Sequence, residues 1–452
     1  MTHLTRYPEG SIRELWSISL PLMISTFASL LMIFTDRIFL ARYSLSDLNA
    51  SVTAGTLAWA IMGGLGMVTA MSEVFVAQYN GAKLHSRLGV PVWQMIWFAL
   101  LSLVLFIPFG IWGSPVIFST DAEITYFRML MFFGPSYAIL TAFAGFFIGR
   151  GQTAIMIWLA VAANVVNIGL DWVLIFGIKG FIPELGIQGA AIATCTGYFF
   201  EAAMLAYFFL RKTNREQYGT ANWRIDWTEM KKCLAVGFPQ GIFCCLEVVG
   251  WSVFYWMMMS LSNQHITVSS ICQSFTILLS FFCDGLSRGA AAVTGNLIGA
   301  GKHDAIAKVL RSGIALVALF SLTTSLFLVI DPQDTVRLLF FDTIDPSMIP
   351  ALKTCMFCAF AYMFFEGFRW LLSGVLVAAG DTLFLLIAGS LSVWVFLLIP
   401  IQVFVVQWNL SVEVAWIITV LYSALLLGAY WMRYKRGAWR EKDLIGEEIQ
   451  NE

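Results

Sequence analysis

Residues 211–232 read RKTNREQYGTANWRIDWTEMKK, nine charged side chains in 22 positions, the longest charged interruption between two apolar stretches of the chain. On either side lie runs of apolar residues long enough to cross a bilayer, a task that takes about 20 residues of helix. Charge, Gly and Pro clusters divide the sequence into twelve such helices, at 15–40, 48–78, 93–117, 125–148, 155–178 and 187–210 before the interruption, and 234–262, 266–299, 309–330, 350–377, 383–407 and 412–432 after it. The expected organisation is a six-helix lobe at 1–210, a linker at 211–232, a second lobe at 233–432 and a tail at 433–452.

The halves echo each other. Pro21 in SISLPLMIST and Pro239 in AVGFPQGIFC are 218 residues apart, as are Gly81 in AQYNGAK and Gly299 in GNLIGAGK. Further on, GRGQT (149–153) answers AAGDT (378–382) at an offset of 229. The shared order of these matches predicts a duplication. An even number of helices per repeat makes both repeats enter from the same side, related by an axis along the membrane normal, with a central cavity between them.

Composition agrees. Of 452 residues, 59% are hydrophobic and 12% charged, about half the charged share of a soluble domain. A net charge of −1, without a basic stripe, sets nucleic acid aside. The run from Leu15 to about Leu40 exceeds a signal-peptide core and is read as a retained first span. With the N-terminus inside, 19 Lys and Arg fall in inner segments and 6 in outer ones, which predicts both termini in the cytoplasm. The eight cysteines sit in or beside apolar runs, and the lone Cys355-x-x-Cys358 lacks a second pair or a nearby His, so neither disulfides nor a zinc site is expected.

An ionisable group inside a span costs at least about 2.5–3.5 kcal/mol and calls for an explanation. In the fifth helix, Asn164, Asn167 and Asp171 fall on one face. Asp171 lies roughly 24 Å and Asp36, in the first helix, roughly 31 Å from the inner helix start, so both reach the outer half of the first lobe. Carboxylate, amide and hydroxyl oxygens suit a proton or a hard monovalent cation. Asp36 precedes Arg37 near a helix end, where interfacial snorkelling is the plain alternative; for Asp171 it is helix–helix hydrogen bonding. Asp284 and Arg288, four residues apart, are expected to neutralise each other, and Glu73 and Glu201 to be solvated near helix ends. Pro21 offers the first helix a place to bend.

The segments SISLPLMISTFASLLMIFTDRIFLA, AQYNGAK, NVVNIGLDWVLIFG, GIQGAAIAT, GFPQGIFCCLEVVGW and FFEGFRWLLSGVLVAAGDT give the chain, from about residue 12 to 432, a resemblance to the multidrug and toxic compound extrusion (MATE) transporters, in particular their NorM-like bacterial branch. The resemblance implies an all-α membrane protein, two pseudo-symmetric six-helix bundles in a V, exporting organic solutes, expected to be cationic and lipophilic, in exchange for Na+ or H+. It places the cation-coupling site, a candidate monovalent-cation site, at Asp36, Asn167, Asp171 and Thr194, and second-lobe acidic sites at Glu247 and Glu366. That branch more usually has Asp where Glu366 stands, and Arg369 follows one turn later, so Glu366 is either a cation site or a structural partner of Arg369. Gln273 matches a polar position near the cavity, where substrate contact and packing are both open, as they are for Asn164, Asp284, Arg288 and Arg369. No organic cofactor is implied; the expected setting is a monomer in the inner membrane. A lipid-linked sugar flippase is the first alternative, although it would favour a cationic cavity. A membrane-embedded enzyme is the second, but HExxH, GxSxG and P-loop motifs are read as absent.

Overall fold

The computed structural model describes residues 4–326, 330–331, 333–334, 345–442 and 444–446. His3, Arg337, Asp342 and the end of the 433–452 tail lie outside the described residues. Among the described residues, twelve helices are long and apolar enough to cross a membrane: α1 Ile12–Tyr43, α2 Leu45–Gly81, α3 His85–Ile117, α4 Asp121–Gly149, α5 Ala154–Phe176, α6 Ile187–Phe209, α7 Trp227–Leu261, α8 Asn263–Gly299, α9 His303–Thr324, α10 Pro346–Ala378, α11 Thr382–Gln407 and α12 Val412–Arg436.

Side-chain caps explain several starts. Ser11 accepts from the Glu14 amide, Ser44 from Asp47 and Ser262 from His265, while Thr120 and Glu123 form a reciprocal capping box. The same chemistry moves one boundary. Asp226 Oδ1 accepts from the amides of Thr228 and Glu229 at 3.0 Å, so α7 begins at Trp227, inside the charged run read as linker. The rest of that run holds a short helix, Lys212–Tyr218. Leu105, Val116, Trp158 and Phe199 expose most of their apolar surface, which is expected of side chains solvated by lipid.

The packing order repeats. In the first lobe α1 packs on α5, α2 on α4, α4 on α3 and α6, and α5 on α6. In the second, α7 packs on α11, α8 on α10, α10 on α9 and α12, and α11 on α12, the same scheme shifted by six helices. Between lobes, α1 meets α8 and α9 while α7 meets α2 and α3, with α2 against α8 on the pseudo-axis.

That seam gathers in the half of the molecule that carries the termini. Gly81 and Gly299, 218 residues apart, let α2 and α8 cross closely: a Cβ at Gly81 would overlap the Asn296 carbonyl, and one at Gly299 the Gln78 carbonyl. Two amides then cross between lobes in matching fashion. Gln78 Nε2 donates to the Ala378 carbonyl at the end of α10 (2.8 Å), and Asn296 Nδ2 to the Gly149 carbonyl at the end of α4 (2.7 Å). Farther from the termini, Gly64 and Gly241 meet between α2 and α7, and the Phe27 and Phe281 rings lie 5.4 Å apart between α1 and α8. Beyond these, Leu31 and Phe34 on α1 and Ile277 and Leu278 on α8 are exposed. The V is therefore closed at the terminus-bearing end and open at the other.

Pro21 and Pro239 each interrupt the first helix of a lobe beside this seam. Ser19 and Met23, flanking Pro21, pack on Gly289 and Gly285 of α8, and Gly237 and Gly241, flanking Pro239, pack on Val68 and Gly64 of α2.

Candidate functional site

In the open half of the first lobe, α1, α5 and α6 bring together Asp36, Asn167, Asp171 and Thr194, all buried. The α5 pattern does the positioning: Asn167 and Asp171 share the face turned to α1 and α6, where Asp36 stands opposite them. The Thr194 hydroxyl donates to Asp36 Oδ2 at 2.7 Å and lies 3.0 Å from the Ala190 carbonyl one turn back. Asp36 Oδ1, both Asp171 oxygens and both amide atoms of Asn167 are buried and make no hydrogen bond of ordinary geometry among the described residues, although the three side chains lie close enough to interact with one another. Buried polar atoms are normally paired, and an unpaired buried carboxylate is among the costliest groups a protein can hold. Neither carboxylate has an ion pair among the described residues. Two carboxylates, an amide oxygen and a hydroxyl oxygen form a hard, oxygen-only donor set that suits a proton or a monovalent cation. Asn164 stands apart, its amide donating to the Ala160 carbonyl of its own helix at 2.8 Å.

Sequence reading missed the aromatic hydroxyls around this cluster. Tyr126 on α4 and Tyr198 on α6 are buried within electrostatic reach of Asp36. Tyr198 stands one turn after Thr194, a signal visible in the sequence; Tyr126 comes from a helix that carries no other marker of the site.

The second lobe resolves its charges internally. Arg369 Nε donates to Glu366 Oε1 at 2.8 Å and its Nη2 pairs with Oε2, while Trp370 Nε1 donates to Oε2 at 3.0 Å. Arg369 Nη2 also lies 3.6 Å from Glu247 Oε1. Glu366 and Arg369 are each 3% exposed, so the guanidinium occupies the place a cation would take between the two acids. Of the two readings of Glu366, the structure favours the structural partner.

Three expectations are corrected. Arg288 reaches across the seam to Glu73 of α2, 3.5 Å away, rather than pairing along its own helix, because the α2–α8 crossing brings that carboxylate within range. Asp284 instead accepts from the Thr26 hydroxyl of α1 at 2.8 Å. Glu73 and Glu201 are buried, not solvated, with Arg288 as their neighbouring positive charge. Finally, Gly285-Leu286-Ser287-Arg288-Gly289 does have the GxSxG spacing. It lies within α8, where Gly285 and Gly289 contact α1, not on the strand-to-helix turn that exposes a nucleophile, so it carries no such chemistry. Gln273 is half-buried on the outer part of α8. All eight cysteines are free thiols.

The sequence profile of the MatE family matches residues 21–173 and again 239–403, one match per lobe. The chain belongs to the MatE family. It is 24% identical over 418 residues to the probable multidrug resistance protein NorM of Thermotoga maritima, covering 90% of this chain and 88% of that one. Its fold is that of a MOP superfamily transporter from Pyrococcus furiosus Vc1 whose reverse polarity of binding pocket suggests a different function, at a TM-score of 0.81 and 19% identity, covering 96% of this chain and 97% of that one. A multidrug resistance MATE family transporter solved in an outward-facing conformation superposes equally well, at a TM-score of 0.81 and 19% identity over 96% and 97% of the two chains. The protein is thus a multi-pass membrane transporter of small molecules and not an enzyme.

Proposed function

We propose that this MATE-family protein is a secondary antiporter that exports amphiphilic organic solutes, cationic groups among them, in exchange for Na+ or H+. It works as a monomer in the inner membrane with both termini in the cytoplasm. The observation that carries the coupling is the group of unpartnered buried atoms at Asp36, Asn167 and Asp171. A cation or proton arriving from the open side would satisfy those atoms and neutralise a charge that otherwise holds water between α1, α5 and α6. That favours closer packing of α1, which Pro21 allows to bend because its nitrogen cannot donate to the preceding turn. Repacking narrows the open cleft and expels the solute. Ion and solute then antagonise each other by the same factor in either direction. The orientation follows from the 19-to-6 distribution of basic residues.

The test is efflux of a fluorescent dye from proteoliposomes with sodium and pH gradients imposed separately. Dye movement driven by at least one gradient in wild type, and abolished in Asp171→Asn, is the expected result. Dye movement indifferent to both gradients would overturn the reading. Single cysteines at Asn222 and Lys179 in a Cys-free background, labelled with an impermeant reagent, should react from opposite sides; labelling from one side would overturn the topology.

A further inference from the structure

Between α1 and α2, near the open end of the first lobe, lies a groove of about 530 Å³ lined by Arg37, Ile38, Leu48, Asn49, Val52 and Thr53, among others. Helix geometry fixes where it faces. Arg37 is eleven residues beyond Thr26 and eighteen beyond Ser19, about three and five whole turns, so it continues outward the stripe of α1 that meets α8. Asn49 and Thr53 stand eleven residues before Ala60 and Gly64, so they continue the stripe of α2 that meets α7. The groove therefore belongs to the wall of the cleft where the lobes have parted. The outward continuation of the facing stripe on α8 offers Thr267, Ser270 and Ser274 and no carboxylate.

Arg37 is exposed and forms no ion pair among the described residues. A guanidinium that opens onto a mostly apolar groove, next to the Asn49 amide, is arranged to receive an anion carried on an apolar body. The Thr53 hydroxyl donates to the Asn49 backbone carbonyl at 3.0 Å and so leaves donation to Arg37 and the Asn49 side chain. Ile38, Leu48 and Val52 supply the apolar contact. At the bottom of the same stripe sits Asp284, held by Thr26, about 16 Å below Arg37 along the helix. Arg37 leans toward the α1 N-terminus and Asp284 toward the α8 N-terminus, which run in opposite senses, so the two side chains lean toward each other along the cleft.

We propose that Arg37 and Asn49 form an anion subsite of the cleft that recognises the carboxylate of an amphiphilic solute, with any cationic group of the same solute directed toward Asp284. This deepens the antiport reading and rests on it for the solute's route. The test uses binding alone, without a gradient, so that failure of coupling and failure of the subsite are told apart.

The probes are a rhodamine with a free carboxylate and its ethyl ester, which share the apolar xanthene body and differ in one negative charge. Affinity for each is measured by fluorescence anisotropy on the full-length protein in phosphatidylcholine nanodiscs, with and without phosphatidylglycerol. In Arg37→Gln, binding of the carboxylate dye should weaken by about tenfold, the order of a charge-assisted contact in a partly wetted groove, while the ester is unchanged. Arg37→Lys should recover part of the loss and Asn49→Ala should reproduce a smaller one. Equal weakening for both dyes would make Arg37 a structural residue and overturn the proposal. No change for either dye would do the same. A preference that vanishes when phosphatidylglycerol is present would assign the groove to a lipid headgroup instead.

Discussion

Asp36 and Asp171 share a buried pocket with amide and hydroxyl groups and no ion pair among the described residues, the neighbouring Arg37 being exposed, whereas Glu366 and Glu247 converge on Arg369. The two lobes are built on one packing scheme, yet at the offsets of 218 and 229 Asp36 corresponds to Phe254, Asp171 to Pro400 and Glu366 to Tyr137. Duplication kept the scaffold and the lobe-crossing amides while the buried charges diverged. A second lobe with its cation covalently attached needs none from solution; a first lobe with orphaned oxygens does. On this contrast we propose that coupling belongs to the first lobe rather than the second.

The contrast breaks most visibly under charge removal. Asp36→Asn and Asp171→Asn should each bring gradient-driven efflux down to the level of protein-free liposomes while leaving thermal stability equal or higher, since each removes a buried carboxylate that has no ion-pair partner among the described residues. Glu366→Gln should do the reverse in kind. It strips most of the counter-charge from a buried guanidinium and should cost on the order of 3–5 kcal/mol of stability, read as a lower melting temperature and poorer yield. The double variant Glu366→Gln with Arg369→Met should recover that stability. If Glu366→Gln instead stays fully stable and loses coupling, the assignment of roles to the lobes is inverted.

A binding measurement sharpens the same comparison. Saturating coupling ion, at about 100 times its Kd, should stabilise wild type by about 2.7 kcal/mol. A sodium titration and a pH series of the melting temperature show which ion it is. The increment should disappear in Asp171→Asn and persist in Glu366→Gln combined with Arg369→Met. Its persistence in Asp171→Asn would move the ion site elsewhere.

Most of this architecture was legible in the chain because the signals are local or periodic. Twelve apolar runs, the charged stretch at 211–232 and the paired Pro21/Pro239 and Gly81/Gly299 carry the fold without knowledge of any contact. The Asn167–Asp171 face was legible for the same reason, since i and i+4 share a side of a helix. What escaped depends on which helix lies opposite. The i, i+4 spacing of Asp284 and Arg288 is as good a local pair as Glu366 and Arg369 at i, i+3, yet only the second forms. The difference lies in what packs on α8: the α2 crossing presents Glu73 to Arg288, and α1 presents Thr26 to Asp284. Burial of Glu73 and Glu201 is not visible from the sequence because nearness to a helix end suggests exposure, whereas Glu73 is packed into the seam and Glu201 is buried within the first lobe. Tyr126 and the Arg37 groove likewise need three-dimensional neighbours to be seen.

The seam itself gives a milder prediction. Glu73→Gln removes the cross-lobe partner of Arg288 at the closed end while leaving the matching Gln78 and Asn296 hydrogen bonds in place. Spin labels on the terminus-bearing ends of α2 and α8 should report a broader distance distribution, with the population of separated lobes raised about threefold to tenfold. Efflux should fall by less than in the Asp36 and Asp171 variants. An unchanged distribution would show that the amide crossings and helix packing close this end without help from the ion pair.

The smallest effect is expected at the loops that follow α4 and α10, where the lobes again solve one problem differently. In the first lobe Arg150 lies over the Tyr218 ring at 3.7 Å and holds the connector helix. In the second, Asp381 accepts from Arg433 Nε at 2.7 Å and pairs with Lys442 Nζ at 2.9 Å, tying the tail to the membrane-facing helices, with Trp439 buried against Tyr434. Burial alone would raise the Asp381 carboxyl, but the hydrogen bonds and charges of Arg433 and Lys442 outweigh it and hold the group below its ordinary value of 3.8. A carboxyl depressed in the folded state contributes stability that is fully present above its unfolded value and is lost as pH falls through the folded one. At neutral pH, Asp381→Asn should therefore loosen the tail, read as greater mobility of a spin label placed at the exposed Arg440 position in a Cys-free background. Because wild type protonates the same group in acid, the difference between wild type and variant should shrink as pH drops below about 4 and approach zero once Asp381 is neutral in both states. A first-lobe control, Arg150→Gln in a His85→Gln background that removes the ring packed edge-on against Tyr218, should loosen the connector by an amount that does not vary between pH 7 and 4, since the cation–π contact itself involves no group that titrates in that range. If the Asp381 difference stayed constant down to pH 3, the carboxylate's charge would not be what holds the tail, and the packing of Trp439 on Tyr434 would have to carry it.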